Sequence, residues 1–117
     1  MTNKTGSIID ILILNLKPGA RSDFDNLYRE LALPMLQRWK TDVIAYGPSL
    51  GEEDTYLVVR RYKDLAERKQ SQDAYYGSDD WKEGPREKIM ALVESYTTVV
   101  VPANDRLVVG FKLVNAE

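Results

Sequence analysis

Residues 8–16 read IIDILILNL, and this stretch decides the fold. It is rich in β-branched isoleucine, and Lys17-Pro18-Gly19 after it withholds a ladder donor and permits a turn, so we predict a β-strand. Leucines at positions 12, 14 and 16 alternate with isoleucines at positions 9, 11 and 13, and Asp10 is the one charged residue. A strand with one solvated face would alternate apolar and polar residues. The pattern therefore indicates that both faces of this strand are covered.

The segments that follow the first strand give the order β-α-β-β-α-β. Apolar residues at helical spacing predict the helices, and runs of β-branched and aromatic residues predict the strands. The two middle strands are close enough in sequence to form an antiparallel hairpin. This order predicts an α+β, ferredoxin-like fold with an antiparallel sheet. The predicted elements are a helix from Ser22 past Pro34, strands at 42–49 and 55–62, a helix from Asp64 to Tyr76, a helix from Pro85 to about Glu94, and a strand at 95–102.

The apolar character of the second sheet face indicates a partner. Two helices cover only one face of a four-stranded sheet, and soluble monomers avoid large exposed apolar patches. We expect a second copy of the chain to cover the other face, so that two sheets pack as a dimeric α/β barrel. The alternative is a monomer whose central strands are simply apolar on both sides.

Pro34 lies in the middle of YRELALPMLQRWK, residues 28–40, which otherwise is typical of a helix. A mid-helix proline costs about 3 kcal/mol unless the helix adapts to it. We expect the helix to bend there and follow the twisted sheet. The alternative is that the freed carbonyl of Glu30 binds a ligand or water.

Composition excludes several classes of chemistry. The 117 residues suit one domain, 1–117, and include no cysteine and no histidine. Thiolate nucleophiles, Ser-His-Asp triads, the usual zinc sites and histidine-ligated haem are therefore excluded, and we expect no metal and no cofactor. The net charge of −2 gives no reason to expect nucleic acid or a membrane as partner. Residues 1–7 lack the apolar segment of a secretory signal, so we expect a cytoplasmic protein.

The C-terminal residues 106–114 read RLVVGFKLV. Leu107, Val109, Phe111 and Leu113 alternate, and Asn104-Asp105 supplies a turn before them, so we predict a fifth strand after a core of residues 8–102.

The order and spacing of several short motifs resemble the NIPSNAP family of the dimeric α/β-barrel superfamily. The resemblance covers about residues 8–102 and implies a homodimeric barrel. Two departures stand out: Leu31 precedes Ala-Leu-Pro where relatives often have histidine, and Leu12 and Leu14 replace polar residues on the first strand. The matching motifs are Leu16 to Gly19, Ala32 to Pro34, Arg61-Tyr62, Leu65 to Arg68 and Asp80-Trp81.

The candidate site residues lie on the strands. We expect Arg60 to anchor a ligand carboxylate or enolate through its fork of donors. Weak candidates for catalysis are Asp10, Tyr46 and Tyr62, and the tyrosines would also bind ligand. These side chains are expected in the barrel interior among Leu12, Leu14 and Val58; the opposite register, with Arg61 inside, remains open. Asp10 has simpler interpretations, as a residue near the sheet edge or as a salt bridge to Arg60 or a lysine, and the tyrosines have one as packing residues.

Three functions compete at this point. The first is a homodimer that binds a small, partly apolar organic molecule in the barrel cavity. The resemblance implies a second, a cofactor-free monooxygenase or isomerase of the wider superfamily. The third is a non-enzymatic interaction or scaffold domain. An open cavity that contains Tyr, Arg and Asp would favour binding, and a cavity filled by side chains would favour the scaffold.

Overall fold

The structure, a computed structural model, describes the backbone of residues 7–116 and the side chains of residues 7–112. Residues 1–6, on which most of the expectation about a secretory signal rests, lie outside the described residues. The elements are β1 Ile8–Leu16, α1 Arg21–Leu27, a π-helical turn Tyr28–Ala32, α2 Leu33–Arg38, β2 Asp42–Pro48, β3 Thr55–Tyr62, α3 Leu65–Tyr76, α4 Asp79–Glu83, α5 Arg86–Met90, β4 Val93–Pro102 and α6 Asp105–Ala116.

The four strands form one antiparallel sheet in the order β2-β3-β1-β4. The predicted hairpin of β2 and β3 is confirmed, and so is the ferredoxin-like α+β fold. In the centre of the sheet, Asp10 of β1 lies opposite Arg60 of β3. Since side chains of directly opposed residues lie on the same face, this register places the two charges together.

The first helical region contains Pro34 at the start of its second α-helical segment, α2. The Leu33 N–H donates to the carbonyl of Tyr28, five residues back, so the chain makes a π-helical turn directly before the proline. Pro34 then falls in the first turn of α2, where a missing N–H leaves no unmet hydrogen bond. The wider turn and the restart of the helix accommodate the proline, and a bend of the helix at this point stays a prediction.

Helix α3 follows β3 and begins at a side-chain cap. The Asp64 side chain accepts a hydrogen bond of 2.8 Å from the Glu67 N–H and caps α3. The Glu67 carboxylate accepts one of 2.7 Å from the Lys63 N–H, one residue further back than a standard capping box. Helix α5, which corresponds to the helix predicted from Pro85, ends at Met90 and not near Glu94. Strand β4 already begins at Val93.

The prediction of a fifth strand at 106–114 is wrong, because residues 105–116 form helix α6. The side chain of Asn104 accepts a hydrogen bond of 2.9 Å from the Leu107 N–H, as in an N-cap. Val108 and Phe111, three residues apart, pack on the second face of the sheet with Ile9, Ile44 and Val59.

Helix α6 changes the argument about the two sheet faces. It covers the part of the second face near β2, whereas we expected helices on one face only. Ile11, Ile13 and Leu57 of that face are half-buried, and Val99 is 45% exposed. An apolar strip on β1, β3 and β4 is therefore still open to a partner.

Candidate functional site

A cavity of about 500 Å³ lies between the first face of the sheet and the helices. Its floor is apolar, from Leu12 and Leu14 of β1 and Val58 of β3. Its walls are largely aromatic. The aromatic lining residues are Phe24, Tyr28, Tyr75, Tyr76, Trp81 and Tyr96. An apolar, concave site with few polar groups has the usual design of a small-molecule pocket.

The candidate residues lie on the helix-covered face, so the expected orientation toward a barrel interior is wrong. Asp10 and Arg60 contact side chains of α3, Tyr62 receives a hydrogen bond from Gln72 of α3, and Tyr46 packs against the Tyr28 ring. A buried charge such as that of Arg60 is costly on this face unless it is paired. The structure meets that cost with a paired carboxylate, which the register of β1 and β3 brings opposite the guanidinium.

Arg60 and Asp10 form the centre of a buried polar network. Arg60 Nη2 donates to Asp10 Oδ1 at 2.8 Å, and Arg60 Nη1 donates to the Tyr76 hydroxyl at 2.8 Å. Asp10 Oδ2 accepts from Arg68 Nε at 2.6 Å and from Gln72 Nε2 at 3.1 Å. Asp10 is fully buried, and Arg60 is 4% exposed. The simpler interpretation of Asp10, as a salt bridge to Arg60, is therefore confirmed.

The network keeps Asp10 ionised. Burial acts to raise the pKa of Asp10, but the Arg60 charge and the hydrogen bonds from Arg60, Arg68 and Gln72 together lower it below its usual range. A carboxylate with both oxygens occupied and a lowered pKa is a poor proton acceptor near pH 7. Asp10 holds Arg60 in position and does not fit the role of acid or base.

Three buried polar atoms lack a hydrogen-bond partner among the described residues: Tyr28 Oη, Tyr75 Oη and Arg60 Nε. All three residues line the cavity. Burial raises the pKa of both Tyr28 and Tyr75, and this outweighs the opposing effect of the Arg60 charge on each hydroxyl. Both tyrosines therefore remain protonated and able to donate. Native proteins rarely leave buried donors unmet, so these atoms point to a polar group that enters the cavity.

The sequence interpretation missed Tyr28 and Tyr75 because both fall on helical faces that count as apolar. Tyr28 opens the π-helical turn, and Tyr75 lies in the last turn of α3. The available signal was the choice of tyrosine over phenylalanine at buried positions, since a buried hydroxyl needs a partner. Tyr46 and Tyr62 are not among the lining residues of the cavity. Tyr46 instead supports the Tyr28 ring, with ring centroids 5.5 Å apart.

The cavity carries positive charge. Arg60 and Arg86 line it, and its described lining includes no aspartate or glutamate. A second, more open cleft of about 570 Å³ lies at the Tyr62 end of β3. Arginine and acidic residues pair with each other there, as Arg61 does with Asp42 and Asp105 at 4.0 and 3.7 Å. The sheet–helix cavity, with its unmet donors, is thus the stronger candidate site.

The described part of the chain lacks both a metal-binding cluster and a membrane-spanning helix. No cluster of three or more acidic side chains within it could hold a metal ion. None of its helices has the length and apolarity needed to cross a bilayer.

Fold and site together define a ferredoxin-like α+β protein with a cavity between sheet and helices. The family model for NIPSNAP matches residues 9–105. The chain belongs to the NIPSNAP family. The resemblance of its motifs to that family is thereby confirmed. No significant match was found among curated proteins.

Solved structures share this fold. A NIPSNAP-like domain protein from Burkholderia xenovorans is 17% identical, with 85% of this chain and 86% of that one covered and a TM-score of 0.78. A NIPSNAP family protein of unknown function from Agrobacterium tumefaciens is 14% identical, with 86% and 90% covered and a TM-score of 0.79. A putative antibiotic biosynthesis monooxygenase from Nitrosomonas europaea is 11% identical, with 85% and 91% covered and a TM-score of 0.64. At these identities the likeness is one of fold.

Proposed function

We propose that the chain is a homodimeric small-molecule-binding protein. Each protomer holds one small, partly apolar organic molecule in its sheet–helix cavity. The site thus lies within a protomer, on the helix side of the sheet, and not inside a two-sheet barrel.

The observation that carries this proposal is the set of unmet donors in an otherwise apolar cavity. Tyr28 Oη, Tyr75 Oη and Arg60 Nε are buried without a hydrogen-bond partner in the described part of the chain, and all belong to residues that line the same space. Leaving one buried donor unmet costs about 1–3 kcal/mol, which a bound ligand would recover. The cavity volume of about 500 Å³ lies within the range of small-ligand sites.

The remaining apolar strip on the second sheet face supports the homodimer. Ile11, Ile13 and Leu57 are half-buried, and Val99 is 45% exposed in the single chain. The same strip on a second copy is the simplest self-complementary cover, because two-fold dimers use one patch twice. The ligand cavity lies on the opposite face and stays accessible in such a dimer.

The alternative functions are less well supported. A cofactor-free monooxygenase or isomerase would need a group that accepts a proton, and Asp10 has both oxygens occupied. The unmet donors would stabilise an enolate, so a cofactor-free monooxygenase or isomerase would use the same cavity. A pure scaffold would have no need of an open cavity with unpaired hydroxyl groups.

A cavity-filling variant tests the proposal. Leu12 is half-buried and lines the cavity, so Leu12→Trp would place an indole in the ligand space. Leu65 is 62% exposed at the start of α3, outside the cavity lining, so Leu65→Trp is a matched control. A thermal-shift screen with small aromatic and alicyclic molecules should give stabilising hits with the wild type and with Leu65→Trp. Leu12→Trp should lose all of them. Hits that persist in folded Leu12→Trp would contradict a ligand site in this cavity.

A further inference from the structure

We infer that the ligand is a ring compound with one anionic oxygen, a carboxylate or an acidic phenol or enol. That oxygen is held jointly by the hydroxyls of Tyr28 and Tyr75 and by the Arg60 Nε–H. This inference rests on the proposed function and specifies the chemistry of its ligand.

The first step is that the three free positions are donors. Arg60 Nη2 donates to Asp10 and Arg60 Nη1 donates to the Tyr76 hydroxyl, whereas Nε, with its one N–H, has no hydrogen-bond partner among the described residues. Tyr28, Tyr75 and Arg60 line the same cavity, so the two hydroxyl groups and the Arg60 Nε–H can meet one ligand there. A protonated tyrosine hydroxyl can donate its hydrogen to a ligand oxygen, and the bond is stronger when that oxygen is negatively charged.

The second step is that this end of the cavity carries excess positive charge. Two arginines, Arg60 and Arg68, share the one carboxylate of Asp10. Arg86, an exposed residue, adds a further cation to the cavity lining, and none of the described lining residues is acidic. A buried cation is costly when it is not fully balanced, so an anionic ligand oxygen is favoured over a neutral one.

The third step concerns the body of the ligand. Tyr75 and Trp81 line the cavity with ring centroids 5.6 Å apart, and Phe24 and Tyr28 are stacked at 6.1 Å. Flat aromatic walls favour a flat ring, which adds edge-to-face and stacking contacts to area burial. Met90 and Tyr96 line the cavity but are 45% and 61% exposed, so they mark its mouth. The anionic oxygen therefore enters first and the ring follows toward the mouth.

Two probes that differ in one group test the charge. We expect 2-naphthoate to bind at least about tenfold more tightly than the neutral 2-naphthamide by calorimetry, because a charge-assisted hydrogen bond is about twice as strong as a neutral one. Tyr28→Phe and Tyr75→Phe should each weaken 2-naphthoate about tenfold, the effect of one lost hydrogen bond to a charge. Tyr56→Phe is the matched control, because its hydroxyl donates to Asp25 at 2.6 Å and Tyr56 is not among the cavity lining.

A second measurement reads the oxyanion directly. The absorbance of 4-nitrophenol reports its ionisation, and three donors that hold the phenolate should lower the pKa of the bound phenol by about 1 unit or more. The same shift should shrink in Tyr28→Phe and Tyr75→Phe and persist in Tyr56→Phe. If Tyr28→Phe fails to fold, the shift in the wild type and in Tyr75→Phe decides the matter.

The outcomes separate this inference from the proposed function. Equal or tighter binding of 2-naphthamide, with an unshifted 4-nitrophenol pKa, would overturn the anionic ligand and leave a cavity for neutral molecules. Binding of 2-naphthoate that survives Leu12→Trp would overturn both, since the acid would then lie elsewhere. Failure of all three probes to bind at millimolar concentration would also count against both.

Discussion

Arg60 and Asp10 face each other across the two central strands, and Arg60 Nη2 lies 2.8 Å from Asp10 Oδ1 in a region closed to solvent. Each charge is acceptable there only because it is paired, Arg60 with Asp10, and Asp10 with both Arg60 and Arg68. This relationship governs how the site responds to mutation.

Removal of either partner alone should therefore destabilise the fold, but not equally. Asp10→Ala is expected to lower the free energy of unfolding by about 3–5 kcal/mol, because it leaves the buried Arg60 charge without its carboxylate. Arg60→Ala should cost less, because Arg68 still pairs with Asp10. The double variant Asp10→Ala with Arg60→Ala should lose less stability than the sum of the two single losses. Urea denaturation of the four proteins measures the coupling. The exposed pair Lys69–Asp73 provides the control, and Lys69→Ala should hardly move the midpoint. Additive losses in the double variant would contradict the pairing.

The same carboxylate predicts a dependence of stability on acid. The folded-state pKa of Asp10 is lowered, so its contribution is fully present above the ordinary aspartate pKa of about 3.9. That contribution should be lost as the pH falls from there through the folded-state pKa. Urea midpoints between pH 7 and pH 2 should therefore fall less steeply below about pH 4 for the Asp10→Asn, Arg60→Gln double variant than for the wild type. Parallel curves for the two proteins would argue against a lowered pKa.

The unmet hydroxyl groups predict an unusual result in the absence of ligand. Tyr28→Phe and Tyr75→Phe should leave the unliganded protein as stable as the wild type, or up to about 1 kcal/mol more stable, because each removes a buried donor without a partner. Tyr56→Phe should instead destabilise by about 1 kcal/mol, since it removes the hydrogen bond to Asp25. Thermal unfolding of the three variants gives the comparison. A loss from Tyr28→Phe as large as that from Tyr56→Phe would indicate that the hydroxyl has a protein partner.

The apolar strip on the second sheet face predicts the assembly. Light scattering at micromolar concentration should give about twice 13.4 kDa for the wild type. Val99→Lys should yield a folded monomer, because an ammonium group would be buried between the paired apolar strips. Val109 is 52% exposed on α6, and Val109→Lys serves as the control that stays dimeric. A wild-type monomer, or a dimer that tolerates Val99→Lys, would contradict this interface.

Strands could be predicted from the sequence with little error, because local signals agree there. Residues 8–16 and 55–62 form β1 and β3 with the predicted bounds, since β-branched runs end at turn residues. The C-terminal segment misled because its apolar residues fit two periods. Leu107, Val109 and Phe111 alternate as in a strand, whereas Val108 and Phe111 share a helical face, and Asn104 as N-cap decides for the helix.

The site was harder to predict for a different reason. β1 is apolar on both faces, so its sequence does not indicate which face the helices cover, and Arg60 was assigned to the wrong side. The hydrogen bonds of Asp10 and Arg60 to side chains of α3 settle this, and they form only in the folded chain. The hydroxyls of Tyr28 and Tyr75 could be identified as candidates only in the folded chain, where neither has a hydrogen-bond partner among the described residues.

The π-helical turn at Tyr28–Ala32 can be regarded as one residue added to an ordinary helix. Each residue turns an α-helix by about 100°, so the extra residue rotates everything before it relative to α2. The number of residues between Tyr28 and Leu36, a buried residue of α2, therefore sets the direction of the Tyr28 side chain toward the cavity. Loss of a single residue between them would turn the hydroxyl away from Arg60 while leaving every side chain of the site unchanged in identity.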